Sequence, residues 1–182
     1  MKNAVILHGT NGNPEENWFP WLKQELEKKE YKVWLPQLPN CEKPNVNTYN
    51  KFLLPSWEYN SETVLIGHSS GAVEILSLLE NLPDGVVVDK AILVAGFIDN
   101  LKWDALDELF IHPFDWEKIK SRAKTIILIH SDNDPYVPLE HGKILQKNLD
   151  AELIIKEGQK HFSVKSFGEE YKKFTLLLEL VD

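Results

Sequence analysis

The sequence has 182 residues, 43% of them hydrophobic and 26% charged, and these values are typical of one globular domain spanning 1–182. The formal net charge is −8. This argues against nucleic-acid or membrane-surface partners, because the negative electrostatic field of the protein repels phosphate groups. A single cysteine excludes an internal disulfide, and no apolar run reaches the roughly 18–20 residues that cross a bilayer.

The first predicted strand, at 3–7, leads directly into the glycine-containing loop 8–14. A loop of this kind after the first strand can turn backbone N–H groups into a site, as an oxyanion hole requires. We predict that Thr10 supplies one such donor, with Gly9 and Asn11 as alternatives. The other interpretation is a flexible connection without a chemical role. The loop residues that we predict in a substrate pocket are His8, Gly9 and Asn11.

The third predicted strand, at 62–66, runs straight into Gly-His-Ser-Ser-Gly at 67–71, and a helix follows. This strand–turn–helix context is typical of a nucleophile elbow, in which the two glycines permit a turn too tight for side chains. The elbow would expose the Ser69 hydroxyl at the positive end of the helix. We therefore predict Ser69 as the nucleophile, the Ser70 backbone N–H as the second oxyanion donor and His68 as a pocket wall.

Aromatic residues in two other segments leave alternatives open. The segment 97–115 follows a strand at the sheet edge where ligands bind in open α/β sheets, so it is a candidate small lid that contributes Phe97 and Trp103 to the pocket. The alternative is that this segment only packs a short helix onto the body. In the first predicted helix, Trp18 and Trp21 are more typical of core-facing residues than of pocket residues.

A serine nucleophile needs a base, and the base needs an orienting carboxylate. The buried-type strand at 125–130 ends in a polar turn that contains two candidates, Asp132 and Asp134. We favour Asp134 because it begins an Asp-Pro-Tyr-Val-Pro turn similar to the acid loop of α/β-hydrolases. Asp132 would then cap the turn with its side chain.

The predicted strand at 151–155 precedes a polar loop that contains His161. In α/β-hydrolases the catalytic residues follow the chain order Ser, acid, His. We therefore predict His161 as the general base. His130 ends a buried strand and is more typical of a packed core residue. The histidines in polar segments, which we expect to be solvated, are His112 and His141.

Strands and helices alternate along the chain, which predicts a doubly wound α/β fold with a six-stranded parallel sheet and helices on both faces. The predicted strands are 3–7, 32–35, 62–66, 89–95, 125–130 and 151–155. The predicted helices are 17–29, 48–54, 70–81, 116–122, 140–148 and 166–180.

These motifs together resemble a known family, the small serine hydrolases related to retinoblastoma-binding protein 9. The resemblance rests on His8-Gly9, the first helix at 18–26, the elbow at 66–72, the segment 114–120, Asp134-Pro135 and the loop 158–162. It implies a compact α/β-hydrolase fold and a triad formed by Ser69, Asp134 and His161. Nothing in the sequence resembles a metal cluster or a phosphate-binding loop, so we expect no cofactor or metal.

One motif of the family's namesake is missing. The namesake binds retinoblastoma-type pocket proteins through Leu-x-Cys-x-Glu, whereas the single cysteine here, Cys41, lies in Leu-Pro-Asn-Cys-Glu at 38–42. The spacing differs, so binding of a pocket protein is unsupported. Cys41 also lacks an elbow, which argues against a role as nucleophile.

The sequence therefore predicts a serine hydrolase that cleaves small-molecule carboxylic esters, with amides or short peptides as further substrates. A non-catalytic interaction domain on the same scaffold is the alternative, since a fold does not by itself imply activity. Because the start Met1-Lys2-Asn3 does not resemble a signal peptide, we expect a cytoplasmic protein.

Overall fold

A computed structural model describes residues 1–181 and contains one six-stranded sheet. All neighbouring strands are parallel, and their spatial order is β2-β1-β3-β4-β5-β6. The strands are β1 Asn3–Leu7, β2 Lys32–Trp34, β3 Thr63–His68, β4 Val88–Val94, β5 Ala123–Ser131 and β6 Glu152–Lys156. The helices are α1 Phe19–Lys28, α2 Val46–Ser56, α3 Ser70–Asn81, α4 Trp116–Ser121, α5 Leu139–Leu149 and α6 Thr175–Val181. Short 3₁₀ helices span Asp104–Leu109 and Glu169–Lys172.

The sheet has a hydrophobic core on each face because successive strand residues point to opposite sides. On one face, Val5, Leu65 and Leu93 pack with side chains from α2, α3, α4 and α5. On the other face, Ile6 and Ile66 pack with α1 and α6. Coverage on both sides explains why β1 and β3 are buried along their whole length. The predicted α/β fold with a six-stranded parallel sheet is confirmed.

The strand order reverses at β1, which has β2 on one side and β3 on the other. The chain therefore leaves the carboxyl ends of β1 and β3 toward opposite faces, and a crevice opens between the two loops. Ligands of open α/β sheets bind at such a position. In this chain the position brings together the loop after β1 and the Gly-His-Ser-Ser-Gly turn after β3.

The predicted helix at 166–180 is wrong in its first half. The chain there forms irregular turns around the short helix Glu169–Lys172, and α6 starts only at Thr175. Gly168 adopts φ 144°, which interrupts a helix. The irregular path buries Phe174, whose ring stacks on Phe162 at a centroid distance of 5.5 Å. Burial of these aromatic rings outweighs the helical propensity of the segment.

The segment 97–115 packs onto the body through a small core of its own. Phe97, Leu106 and Leu109 are buried against Val46 of α2, Val73 of α3 and Val137. Trp103 is different because 47% of its surface is exposed. The packing interpretation therefore holds for the three buried residues, and the role of the segment as a lid stays a prediction.

Candidate active site

The turn at 67–71 holds Ser69 in an unusual backbone conformation. Ser69 has φ 57° and ψ −124°, and its N–H donates to the Val94 carbonyl of β4 at 2.8 Å. A Cβ on Gly67 would lie 2.5 Å from the Gly71 carbonyl oxygen, and one on Gly71 would lie 2.5 Å from the Leu7 carbonyl oxygen. Only glycine fits at both positions. The two glycines therefore permit the tight turn in which Ser69 has a strained backbone and α3 begins at the next residue.

The loop after β1 contacts this turn closely. The Thr10 hydroxyl donates to the Ser70 hydroxyl at 2.8 Å, and a Cβ on Gly9 would lie 3.0 Å from the Ser69 Cβ. Within residues 1–181, neither the Thr10 nor the Ser70 backbone N–H has a protein acceptor. Two free donors therefore lie on the segments that flank the Ser69 side chain.

His8, which we predicted in the pocket, is instead fully buried and does not line the cavity described below. Its Nε2 accepts from the Leu38 N–H at 3.0 Å, so the ring proton lies on Nδ1 and points to the Gly9 carbonyl at 2.9 Å. Burial lowers the pKa of His8, which keeps the imidazole neutral. His8 thus ties the loop after β1 to residue 38 and has no route to a substrate.

His161 and Asp134 come together at the carboxyl ends of β5 and β6. The His161 Nδ1 lies 2.7 Å from Asp134 Oδ2, and Oδ1 of the same carboxylate accepts from the N–H groups of Tyr136 and Val137. The Asp134 side chain is 1% exposed, so its only polar partners among the described residues are these three donors. The carboxylate is therefore fixed in the orientation that holds the imidazole.

Asp132, the competing acid, has a different partner. Its Oδ1 accepts from the Gly158 N–H at 2.7 Å. Two further bonds join the same loops, from the Gln159 N–H to Ser131 Oγ and from the Lys160 N–H to Asn133 Oδ1. Asp132 therefore helps to attach the loop that contains His161 to the end of β5, while Asp134 is the acid that hydrogen-bonds to the His161 ring.

The other histidines occupy three kinds of environment. His130 is buried against Gly142, and burial lowers its pKa to about 4, in line with a packed core residue. His112 is exposed, as expected. His141 is half-buried and its Nδ1 accepts from the Ile98 N–H at 3.3 Å, so the expectation of a solvated ring is wrong for this residue.

A cavity of about 1140 Å³ contains Ser69 and His161 in its wall. Five of the predicted pocket residues line it, and His8 is the exception. These five are Gly9, Asn11, His68, Phe97 and Trp103. Sequence reasoning missed several others, among them Trp21, Tyr136, Lys165 and Lys172. Trp21 projects from α1 into the cavity, whereas Trp18 is fully buried in the core, so the two tryptophans have different environments.

Ionisable side chains at the cavity carry both signs of charge, with Glu15 and Glu16 from one loop and Lys165 and Lys172 from the C-terminal segment. In the described part of the chain, no three His, Cys, Asp or Glu residues are grouped closely enough to hold a metal ion. No helix within residues 1–181 has the length and apolar character required to cross a membrane.

Residues 4–179 match the protein family described as serine hydrolase. The chain belongs to this family. It is 32% identical to the protein YdeN of Bacillus subtilis over 163 residues, which cover 88% of this chain and 86% of YdeN. It is 27% identical to the serine hydrolase RBBP9 of Rattus norvegicus over 171 residues, 91% and 90% of the two chains. The predicted relationship to small serine hydrolases of this type is confirmed.

Solved structures support the same fold. The crystal structure of YdeN superimposes with a TM-score of 0.91 at 29% identity and covers 100% of this chain and 97% of YdeN. Est1E of Butyrivibrio proteoclasticus, in a structure with bound ferulic acid, gives a TM-score of 0.71 at 15% identity over 100% and 86% of the two chains. At that identity the second likeness concerns the fold alone.

Proposed function

We propose that this serine hydrolase cleaves small-molecule carboxylic esters through an acyl-enzyme formed on Ser69, with His161 as general base and Asp134 as its orienting carboxylate. The observation that carries the proposal is the bond of 2.7 Å between His161 and the buried Asp134, in the wall of the cavity that also contains Ser69. These are the parts that a serine nucleophile requires.

The hydrogen bond determines how the imidazole can act. A carboxylate only accepts hydrogen bonds, so the His161 proton lies on Nδ1 and the lone pair on Nε2. Nε2 takes the Ser69 proton as the serine oxygen attacks the ester carbonyl. The imidazolium is then stabilised by Asp134 and returns the proton to the leaving alcohol. Water, activated by the same nitrogen, releases the acid from the acyl-enzyme.

The two free backbone donors complete the proposed mechanism. As oxyanion donors we assign the N–H groups of Thr10 and Ser70, two residues whose hydroxyls bond to each other, together with the positive end of α3, which starts at Ser70. Both features stabilise the negative charge that develops on the carbonyl oxygen of the tetrahedral intermediate. The bond between the Thr10 and Ser70 hydroxyls keeps the two segments at a fixed separation.

Esters are proposed before amides because an alcohol leaving group departs more readily than an amine. Apolar rings of Phe97, Trp103 and Trp21 in the cavity wall favour an apolar group on the substrate. Amides and short peptides are the alternative substrates. The cytoplasmic location and the lack of a pocket-protein partner stay predictions.

Turnover of p-nitrophenyl acetate tests the proposal. Purified Ser69→Ala should lose at least about 10³-fold in kcat, because the nucleophile is absent. Ser121→Ala is the matched control, since Ser121 is exposed and its hydroxyl donates to the Lys118 carbonyl of its own helix. Full activity in folded Ser69→Ala would contradict the proposal.

A further inference from the structure

His68 has a contact that a residue of the pocket wall does not need. Its Nε2 lies 2.8 Å from the main-chain carbonyl oxygen of His161, and the two rings are 4.7 Å apart between centroids. The side chain is 5% exposed and packs edge-on against Trp18. His68, which directly precedes Ser69, is therefore hydrogen-bonded to the backbone of the proposed general base.

The direction of this hydrogen bond follows from its partner. A carbonyl oxygen only accepts, so Nε2 carries the proton and donates. Burial is the main cause that lowers the pKa of His68 to about 3, and the nearby His161 and His8 lower it further, while the hydrogen bond to the His161 carbonyl and the Asp134 charge oppose the shift. A pKa this low means that the His68 imidazole is a neutral donor near pH 7.

The backbone around His161 needs support from elsewhere in the fold. Its neighbours Lys160 and Phe162 have φ 49° and φ 52°, which non-glycine residues rarely adopt. Two consecutive carbonyls in this segment accept from core side chains. His68 donates to the carbonyl of residue 161, and the Trp18 Nε1–H donates to that of residue 162 at 3.1 Å.

Asp134 and His68 therefore hold different parts of the same residue. Asp134 orients the imidazole through Nδ1, and His68 fixes the main chain from which that imidazole extends. A neutral donor suits this place, because a second cation 4.7 Å from the His161 ring would oppose the imidazolium that forms during the reaction.

We propose that His68 is a positioning residue that holds the His161 main chain, and with it the imidazole, in register with the Ser69 hydroxyl. This inference rests on the proposed function. It predicts that loss of the donor lowers kcat and leaves KM nearly unchanged, since His68 is only 5% exposed and adds little surface to the cavity wall. A residue that merely bounded the pocket would change KM instead.

The test compares two replacements of His68. His68→Phe keeps an aromatic ring but has no donor, whereas the Gln in His68→Gln can place an amide N–H near the position of Nε2. We expect His68→Phe to lower kcat for p-nitrophenyl acetate about 10- to 100-fold, the loss typical of a misplaced catalytic group. KM should stay within about twofold, and the pH profile of kcat/KM should shift. His68→Gln should recover most of kcat. His112→Phe, at an exposed histidine, is the matched control.

A second measurement does not depend on turnover. Nitrogen-15 NMR of the wild-type histidines should show His68 as the neutral Nε2–H tautomer from pH 5 to pH 9. Wild-type kcat in folded His68→Phe, equal losses in both variants, or a His68 ring that titrates above pH 5 would each overturn the inference. A wild type without esterase activity would instead contradict the proposed function, and the NMR result would still decide the state of His68.

Discussion

Glu74 is a carboxyl group enclosed in the core between α3 and α2. It is fully buried, and neither oxygen contacts a protein donor within residues 1–181. Burial raises its pKa well above the ordinary value of 4.5. The acid is therefore protonated in the native protein, but in the unfolded chain it ionises near its ordinary value.

The consequence for stability has a definite sign. A raised native pKa contributes stability that is complete below the unfolded pKa of 4.5 and is lost as the pH rises toward the native pKa. Within that window the loss is about 1.4 kcal/mol for each pH unit. For a chain of this size, about 1.4 kcal/mol corresponds to roughly 3–6 °C in Tm.

Urea unfolding at pH 5.5, 6.5 and 7.5, followed by circular dichroism, measures this contribution. Glu74→Gln cannot ionise, so its stability relative to wild type should increase by about 1.4 kcal/mol per pH unit while native Glu74 stays protonated. Glu74→Met also removes the unpaired polar atoms, so it should be more stable than wild type at pH 7.5. Glu179→Gln is the control, because Glu179 is exposed on α6.

A constant difference between wild type and Glu74→Gln over these three pH values would refute the reasoning. It would mean that native Glu74 is already ionised at pH 5.5, so that burial does not raise its pKa well above the ordinary value. A pH slope that Glu179→Gln removes equally well would also refute it, since the slope would then come from general charge repulsion.

Three further perturbations test the site and its support. Asp134→Asn should lower kcat about 10³- to 10⁴-fold because the imidazole loses its orienting carboxylate, while Asp132→Asn should keep kcat and lose only about 1 kcal/mol of stability. Gly71→Ala should cost at least about 3 kcal/mol in urea unfolding, since its Cβ would meet the Leu7 carbonyl oxygen at 2.5 Å. Trp103→Ala should raise KM for p-nitrophenyl octanoate about 5- to 20-fold, with a smaller effect for acetate, because the cavity loses apolar surface.

Each of these three predictions has a result that would contradict it. Equal losses of kcat in the two aspartate variants would remove the distinction between Asp134 and Asp132. Gly85→Ala is the control for Gly71→Ala, because Gly85 has φ 81° but no atom within 4 Å of its Cβ position, so only a backbone penalty applies. Similar stabilities of the two variants would refute the steric argument. An unchanged KM for octanoate in Trp103→Ala would exclude this side chain from the substrate site.

Local sequence patterns predicted the features of the site that depend on residues close in the chain, namely the turn at 67–71 and the choice of Asp134. The turn at 67–71 could be recognised because its two glycines are required by contacts within a few residues and with the adjacent strand. The choice of Asp134 over Asp132 came from the Asp-Pro turn that follows it, and only Asp134 contacts His161 in the structure.

Properties that depend on tertiary packing were not predictable in the same way. The position of His8 in the loop after the first strand predicts a pocket residue, yet its ring turns inward and accepts from the Leu38 N–H of a distant loop. Trp21 lines the cavity while Trp18 is buried, and the difference arises from how α1 lies on the sheet.

The helix prediction for the C-terminal segment was wrong for a related reason. Residues 166–180 were predicted as one helix, but Lys173 is extended between the short helix Glu169–Lys172 and α6, and the next residue, Phe174, stacks on Phe162. The hydrogen bond between His68 and the His161 carbonyl joins residues 93 positions apart, so a local sequence pattern cannot predict it.

Covalent labelling of Ser69 tests the central claim most directly. Wild-type protein incubated with a fluorophosphonate should gain one adduct by intact-mass spectrometry, and peptide mapping should locate it on Ser69 and not on the adjacent Ser70. The adduct should be absent from Ser69→Ala and strongly reduced in His161→Ala, because an unactivated serine hydroxyl reacts poorly. No adduct on folded wild-type protein, or an adduct that persists in Ser69→Ala, would contradict the account.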